Sequence, residues 1–342
     1  MPRLGRHPMK KGDGLNTPKS KKLSITTIVH IPETTGYWEN CLNVLDLCIS
    51  SIYAHTPVEF DLYVFDNGSC SEVKEYLHDH QKNGQIQFLT FSKENVRKTG
   101  GLNFLLNQAD GEYVAYLDSD AFVLPGWYEK SLEIIEEYDN VGQVTAIPLA
   151  RNKSISDQEL KALKENSEIT ISKGKDLIPE MYVKAHAESV GKDYDEYVYN
   201  RLNDREDVKL TKNKISAILG SVDFQFITSN SVINDVIRKK LSDISELRGD
   251  DIYIPIWEKR LRDADYKMFS TEDYLVHHMG NKIPCFEKEL PWIDLNTLNV
   301  LPTRTTHSQI KSNRKGRFLQ STRLRRLIKK IHLWTYRFLY ER

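Results

Sequence analysis

Short apolar runs rich in β-branched and aromatic residues alternate with segments of helical periodicity over residues 24–148. The runs predict strands, and apolar positions three or four residues apart predict the helices between them. The predicted strands are Ser24–Ile31, Phe60–Phe65, Ile86–Phe91, Tyr113–Leu117 and Val141–Pro148, and the predicted helices are Glu39–His55, Ser71–His80, Gly101–Gln108 and Pro125–Tyr138. This alternation predicts an α/β fold with a Rossmann-like, mostly parallel sheet flanked by helices.

The second half of the chain has a different pattern. Residues 150–215 are polar, charged and mostly helical in periodicity, with no obvious strand, so we expect a helical insertion. Strand character returns over Ser216–Ile227, and Asp250–Asp263 has the pattern of a helix. A short strand at Tyr266–Ser270 then leads towards His277 and His278.

Composition narrows the class of protein. Hydrophobic residues make up 39% and charged residues 28%, which is typical of a globular rather than a disordered chain. No stretch approaches the roughly 20 apolar residues that span a bilayer, and the basic start lacks the apolar run of a secretory signal. The cysteines form no Cys-x-x-Cys pair, which argues against a zinc site, and we expect them to be reduced thiols of a cytoplasmic protein.

The zero net charge conceals two basic ends on an acidic body. Residues 1–22 contain 7 Lys or Arg and one acid, and residues 313–342 contain 10 Lys or Arg and one acid. We therefore divide the chain into a basic arm (1–22), an α/β domain (23–280, with the insertion at 150–215) and a C-terminal extension (281–342).

The extension contains a predicted basic amphipathic helix at residues 314–340. Its apolar residues recur at helical spacing, and its basic residues cluster mostly on another face: Leu324, Leu327, Ile328, Ile331, Trp334 and Phe338 against Arg323, Arg325, Arg326, Lys329 and Lys330. This pattern is typical of a helix that lies on an anionic membrane surface, and it predicts peripheral association with the cytoplasmic membrane face. A terminal helix packed on the α/β domain explains the apolar stripe but not the charge density. Nucleic-acid binding is disfavoured because the body is acidic.

The strongest chemical motif follows the predicted strand Tyr113–Leu117. Asp118 and Asp120 are two residues apart at the end of this strand, where both carboxylates can approach one Mg²⁺ or Mn²⁺ ion. Such an ion would offset the charge of a departing diphosphate. The alternative is a turn in which both acids act only as caps.

Two further motifs follow other strand ends. Asp66 begins Asp-Asn-Gly-Ser after the second strand, where a carboxylate can accept hydrogen bonds from a base or ribose. Asn95, Arg97 and Lys98 precede the glycine pair that opens the next helix, and they supply cations and backbone amides suited to phosphate. An Asn-Gly turn and an ordinary loop are the structural alternatives.

Acids and histidines near the end of the α/β domain complete the candidate set. Asp250 and Asp251 precede a predicted helix, where they either cap it or deprotonate an acceptor hydroxyl. His277 and His278 follow a strand, and one of them could complete the metal site.

In their order and spacing these segments resemble the family 2 glycosyltransferases of the GT-A fold. The resemblance runs from about Leu23 to Gly280 and leaves out residues 150–215. The segments that carry it are VFDNGS (64–69), NVRKTGGLNFLLNQADGEYVAYLDSDAFVLPGW (95–127), GDDIYIPIWEKRLRDADYKM (249–268) and VHHMG (276–280).

The resemblance implies a donor site that holds a nucleotide sugar. Asp66 would contact the base with help from Arg97 or Lys98, and Asp118 and Asp120 would form the Asp-x-Asp motif with Asp120 as the direct Mn²⁺ or Mg²⁺ ligand. The late histidine of the family would be His277, with His278 as the second choice.

It also implies the reaction. Asp251 would act as the base in an inverting transfer to a hydroxyl of a glycan or lipid-linked acceptor, although Asp250 beside it blurs the assignment. The chain departs from the family at His30-Ile31-Pro32-Glu33, where a Pro-x-Tyr-Asn run is usual. Two alternatives stay open: a nucleotidyltransferase of related fold, and a non-catalytic scaffold or nucleic-acid-binding protein.

Overall fold

A computed structural model of the chain describes residues 21–148, 163, 167–202, 206–238 and 255–298. The strands of this part are β1 (Leu23–Val29), β2 (Phe60–Asn67), β3 (Phe88–Ser92), β4 (Tyr113–Asp118), β5 (Ala121–Val123), β6 (Val141–Thr145), β7 (Thr170–Gly174), β8 (Asp207–Lys212), β9 (Ile215–Leu219), β10 (Gln225–Ser229), β11 (Lys267–Ser270) and β12 (Val276–His278). The helices are α1 (Cys41–His55), α2 (Ser71–Lys82), α3 (Arg97–Gln108), α4 (Trp127–Glu137), α5 (Glu180–Ser189), α6 (Tyr194–Leu202), α7 (Asn230–Val236), α8 (Pro255–Asp263) and α9 (Phe286–Glu289), with short 3-10 turns at Gly36–Trp38 and Leu295–Thr297.

The first four strands form the parallel half of the central sheet. Their order is β3-β2-β1-β4, and β1 pairs in parallel with both β2 and β4. Every residue of β1 is buried, which is expected of a strand covered by helices on both faces. The predicted α/β fold with a parallel sheet between helices is confirmed here.

Antiparallel strands extend the sheet on the other side of β4. The order continues β10-β6-β11-β9-β8-β7, and β10 runs antiparallel to both β4 and β6. β11 pairs with β6 in parallel, whereas β9, β8 and β7 add antiparallel pairs at the far edge.

The segment at residues 150–215, which the sequence predicts to be mostly helical with no obvious strand, also contains strands. The segment contains helices α5 and α6, but it also contains β7 and β8. β7 is the edge strand of the sheet and is mostly exposed, and β8 lies beside it. Because strands in this position need few apolar residues, the sequence shows no strand pattern there.

Apolar side chains pack on both faces of the sheet. Helices α1 and α2 bury their apolar stripes with one set of strand residues, among them Ile25, Val29 and Leu117. Helices α3, α7 and α8 cover the other face, where Ile28 and Tyr116 point. Because side chains alternate along β1 and β4, each strand contributes to both cores, and its carboxyl end lies between them.

A small second sheet lies beside the main one. β12 pairs antiparallel with β5, and this places His277 opposite Phe122 and His278 opposite Ala121. Because β5 begins directly after Asp120, the pairing brings the late histidines to the Asp-x-Asp motif.

Several predicted features lie outside the described residues. These are the basic arm at 1–20, the acids Asp250 and Asp251, and the C-terminal helix at 314–340. In the described part of the chain, no helix has both the length and the apolar character needed to cross a membrane.

Candidate functional site

The polar motifs meet at the carboxyl ends of the parallel strands. Asp66 is opposite Val29 and Asp118 is opposite Ile28, so the two acids flank the end of β1. Two strand spacings separate their backbones by about 10 Å. Ligands of open α/β sheets bind at this edge, which makes it the candidate site.

Asp66 lies in the turn that follows β2. Its carboxylate is fully buried and accepts a hydrogen bond from the Ser69 N–H, at 3.1 Å to Oδ1. Gly68 adopts φ +81°, and a Cβ there would lie 3.3 Å from the backbone N of Asn95, so both conformation and space favour glycine. Asp66 is therefore where the motif predicted, and its carboxylate stabilises the turn.

Asn67 joins this turn to the loop before α3. Its side-chain oxygen accepts from the Val96 N–H at 2.7 Å, and its Nδ2 donates to Asn95 Oδ1 at 2.9 Å and to the Arg97 carbonyl at 3.3 Å. Asn95 Oδ1 also accepts from the Arg97 N–H at 2.7 Å, which supports the left-handed conformation of Arg97 at φ +64°. We call these four residues the Asn67 bridge.

Lys98 reaches from the start of α3 to the end of β4. Its Nζ donates to Asp118 Oδ2 at 2.7 Å and to the Asp223 carbonyl at 3.1 Å, and it lies 5.3 Å from the centre of the Tyr116 ring. The Tyr116 hydroxyl donates to the other oxygen of Asp118. Burial raises the pKa of Tyr116, so this hydroxyl keeps its proton and remains a donor.

Asp120 and His278 form a second polar pair. His278 Nε2 lies 3.3 Å from Asp120 Oδ2, and the Met279 N–H donates to the Asp120 carbonyl at 2.8 Å. Although 26% of the Asp120 side-chain surface is exposed, its Oδ1 is enclosed and lacks a hydrogen-bond partner among the described residues. Burial raises the pKa of Asp120, and the nearby His278 opposes that shift.

His277 does not take part in this pair; of the two histidines predicted for the metal site, His278 is the one that lies beside Asp120. Adjacent residues of a strand point to opposite faces, and His277 is fully buried on the far side. One ring nitrogen lies 3.1 Å from the Tyr274 hydroxyl and the other 3.2 Å from Glu289 Oε2. Burial lowers the pKa of His277, which is the behaviour of a structural core histidine.

A cavity of about 80 Å³ adjoins Asp120. It lies between the loop after β1, the start of α1 and the loop after β12. Its lining includes His30, Tyr37, Trp38, Cys41, Ser119, Asp120 and Asn281. Asn281 donates to the Tyr37 carbonyl at 3.0 Å, so segments that are far apart in sequence meet at this cavity.

The donor set fits a divalent cation in part. An enclosed carboxylate oxygen without a partner and an imidazole are suitable ligands for Mn²⁺ or Mg²⁺. No group of three or more His, Cys, Asp or Glu side chains suited to a metal occurs in the described part of the chain. Asp118 is engaged by Lys98 and Tyr116, so Asp120 and His278 are the protein groups that remain for the ion.

Some residues of this edge escaped the sequence analysis. Asn67, Tyr116 and Phe224 organise the site, but each resembles an ordinary turn or core residue in the sequence. His30 belongs with them, since its Nδ1 lies 2.9 Å from the Asn67 carbonyl. The one available signal was position, because Asn67 and Tyr116 adjoin Asp66 and Asp118.

The family model described as Glycosyl transferase family 2 matches residues 39–184. The match contains the turn after β2, the Asn67 bridge and the Asp-x-Asp motif in the order described above. Residues 39–184 thus match a glycosyltransferase family 2 domain. The predicted family is thus confirmed, and the match enters the insertion, which the resemblance had left out. It ends before Phe224 and His278.

Curated relatives are similar to this domain over limited lengths. The poly-β-1,6-N-acetyl-D-glucosamine synthase of Staphylococcus epidermidis is 29% identical over 106 residues, which is 31% of this chain and 26% of that protein. Uncharacterised glycosyltransferases of Haemophilus influenzae and Rickettsia bellii are 28% and 29% identical over 30% and 29% of this chain. The alignments span 32% and 14% of those two proteins, well under half of their lengths.

Two solved structures show partial similarity to this chain. GalNAc-T7 with UDP, GalNAc and Mn²⁺ has a TM-score of 0.45 at 13% identity, over 76% of this chain and 43% of that one. TarS 1–349 of S. aureus has a TM-score of 0.40 at 13% identity, over 75% of this chain and 59% of that one.

Proposed function

We propose that this family 2 domain transfers a sugar from a nucleotide-diphosphate sugar to a hydroxyl of a glycan or lipid-linked acceptor. The observation that supports this most is the Asp120–His278 pair. It lies at the carboxyl end of β4 and borders a cavity, and one enclosed oxygen of Asp120 has no hydrogen-bond partner among the residues that the structure describes. Buried polar atoms are ordinarily paired, so an unpaired acid oxygen in such a position favours a bound ligand.

Asp120 and His278 would hold the divalent cation. When bound, Mn²⁺ or Mg²⁺ supplies positive charge that stabilises the departing diphosphate. Asp118 would not bind the cation directly. Each of its two carboxylate oxygens already accepts a hydrogen bond, one from Lys98 and one from Tyr116. We infer that Asp118 shapes the end of β4 and keeps Lys98 in place.

The donor nucleotide would lie between the turn after β2 and the start of α3. The Asn67 bridge fixes the backbone of Asn95, Val96 and Arg97 at that point. Lys98 offers an ammonium group that can exchange Asp118 for a phosphate oxygen, because a charge-assisted bond to phosphate is comparable in strength. Asp66 is fully buried in the turn after β2, so it would accept from the base only after that turn opens.

The acceptor hydroxyl needs a base. We propose Asp251, with Asp250 as the alternative, acting in a single displacement that inverts the anomeric centre. Both acids lie outside the described residues, between α7 and α8.

The basic helix predicted at 314–340 would bring the domain to an anionic membrane surface on the cytoplasmic side. A lipid-linked acceptor would then be presented at the surface where the enzyme is bound.

A thermal-shift panel tests the proposal. The chain is incubated with nucleoside diphosphates and nucleotide sugars, each with Mn²⁺, Mg²⁺ or EDTA, because a ligand of the folded state raises the melting temperature. We expect one nucleotide to stabilise the chain only with a metal ion, and Asp120→Ala to remove that stabilisation. Stabilisation of wild type and Asp120→Ala to the same extent would contradict the assignment of Asp120, and no stabilisation by any pair would contradict the donor site.

A further inference from the structure

Helix α5 of the insertion packs beside the candidate metal site. The His186 ring lies 6.3 Å from that of Phe224, with their planes 16° apart, and Phe224 presents its ring at 5.3 Å and 73° to His278. At the end of the helix, a Cβ added to Gly280 would lie 3.8 Å from the Ser189 carbonyl. A segment that is remote from the Asp-x-Asp motif in sequence therefore contacts the strand that carries His278.

His278 depends on such packing because hydrogen bonds do not fix its ring fully. A histidine that binds a metal ordinarily donates its second ring nitrogen to a carboxylate or carbonyl, which sets the ring orientation. The Nδ1 atom of His278 is enclosed and has no hydrogen-bond partner among the described residues. Rotation about the terminal torsion of a histidine is soft, so neighbouring atoms must define its angle.

Phe224 is well placed to do so. It is 5% exposed, and its carbonyl accepts from the Asp118 N–H at 2.7 Å, so its backbone is tied to the end of β4. The preceding carbonyl, that of Asp223, accepts from Lys98. Phe224 thus connects the Asp-x-Asp strand, the His278 ring and helix α5 through direct contacts.

Helix α5 is itself anchored independently of His278. Tyr182 lies 5.6 Å from the Tyr274 ring and 5.0 Å from the Trp292 ring, between residues that precede and follow β12. Tyr182 therefore packs helix α5 against residues on both sides of β12 in the sequence. Movement of the helix away from β12 would break these aromatic contacts.

We propose that Phe224 and His186 are positioning residues that hold the imidazole of His278 in the orientation required for metal binding. Helix α5 of the insertion would then support the metal site by packing. The proposal rests on the proposed function, since it takes Asp120 and His278 as the residues that bind the cation.

The test measures Mn²⁺ affinity directly, by electron paramagnetic resonance of free Mn²⁺ titrated with the full chain. His186→Ala and Phe224→Leu are expected to weaken Mn²⁺ binding by about tenfold, the lower end of the effect of losing a group that orients a metal ligand. His186→Phe keeps an aromatic ring and is expected to restore binding to within about twofold of wild type. Met181→Ala, an exposed change on the same helix, is the matched control and should leave binding unchanged.

Two outcomes would overturn the proposal and are distinguishable. If His278→Ala loses Mn²⁺ while His186→Ala and Phe224→Leu bind like wild type, the metal site stands and helix α5 is only a cover. If wild type fails to bind Mn²⁺, or His278→Ala binds it normally, the proposed metal site is wrong and this inference falls with it. Circular dichroism of each variant identifies any that fail to fold, and His186→Phe then serves as the variant that retains the packing.

Discussion

The Asn67 bridge and the Asp120–His278 pair lie at the same edge of the sheet and differ in how their polar atoms are satisfied. In the bridge, both side-chain polar atoms of Asn67 are hydrogen-bonded to the loop before α3. In the pair, Asp120 Oδ1 and His278 Nδ1 are enclosed and have no hydrogen-bond partner within the described part of the chain.

The difference separates a structural element from a binding element. A saturated network holds backbone in one arrangement, as it does for the left-handed Arg97. An unsaturated pair carries a free-energy cost that a ligand can remove. We therefore expect changes in the bridge to alter stability and donor binding, and changes in the pair to alter metal binding and turnover.

The largest effect is expected at Asp120. Asp120→Asn keeps the shape of the side chain but removes the charge that would hold the cation, so we expect sugar transfer to fall by about 10²- to 10³-fold. The melting temperature should not fall, because the change removes an enclosed charge with an unpaired oxygen. Asp79→Asn on the exposed face of α2 is the control. If Asp120→Asn keeps wild-type Mn²⁺ affinity and turnover, the Asp120–His278 pair is not the binding element.

The bridge is tested by Asn67→Ala. This change removes the hydrogen bonds that the buried Asn67 side chain makes to the Val96 N–H and to the Asn95 side chain. At about 1 kcal/mol for each bond, we expect a loss of about 2 kcal/mol of unfolding free energy. Chemical denaturation measures that loss, with the exposed Asn83→Ala as the control. Mn²⁺ affinity should be unchanged, and a variant as stable as wild type would show that the bridge does not organise the loop.

Lys98 lies between the two regions. Lys98→Met removes the ammonium from Asp118 and from the expected phosphate position, and we expect donor affinity to fall by about tenfold, as for the loss of one charge-assisted hydrogen bond. The cost in stability should stay below about 1 kcal/mol because the ion pair is partly exposed. Lys82→Met, which breaks an exposed ion pair with Asp79, is the matched control. Equal donor affinity in wild type and Lys98→Met would place the phosphates elsewhere.

The smallest effect is expected at Tyr274. Tyr274→Phe removes one hydrogen bond to His277 and should cost about 1 kcal/mol of unfolding free energy. It should not change Mn²⁺ affinity, because His277 points away from Asp120. A loss of Mn²⁺ binding in Tyr274→Phe would indicate that His277 is a metal ligand.

The sequence predicted the parallel half of the fold because each strand is followed closely by its helix. The runs at β1, β2 and β4 are apolar along their whole length, and their ends carry the polar motifs. Antiparallel β7 and β8 escaped prediction because β7 is a mostly exposed edge strand and β8, beside it, buries only two apolar residues, Val208 and Leu210.

The sequence predicted which residues belong to the site better than it predicted their contacts. Asp66, Lys98, Asp118 and Asp120 do meet at one edge, as the positions of the strand ends implied. The choice between His277 and His278 could not be made from the sequence, because it depends on which face of β12 turns towards β5 and the Asp120 turn. The role of Phe224 depends on β10 pairing back onto β4 across more than 100 residues, which no local pattern specifies.

The Asp120–His278 metal site is tested most directly by a crystal structure of the chain with a nucleoside diphosphate and Mn²⁺, with the ion located by its anomalous signal. We expect one anomalous peak within coordination distance of Asp120 and His278, with diphosphate oxygens completing the ligand set and His277 still bonded to Tyr274 and Glu289. A peak at His277, or a bound diphosphate with no metal at Asp120, would contradict it.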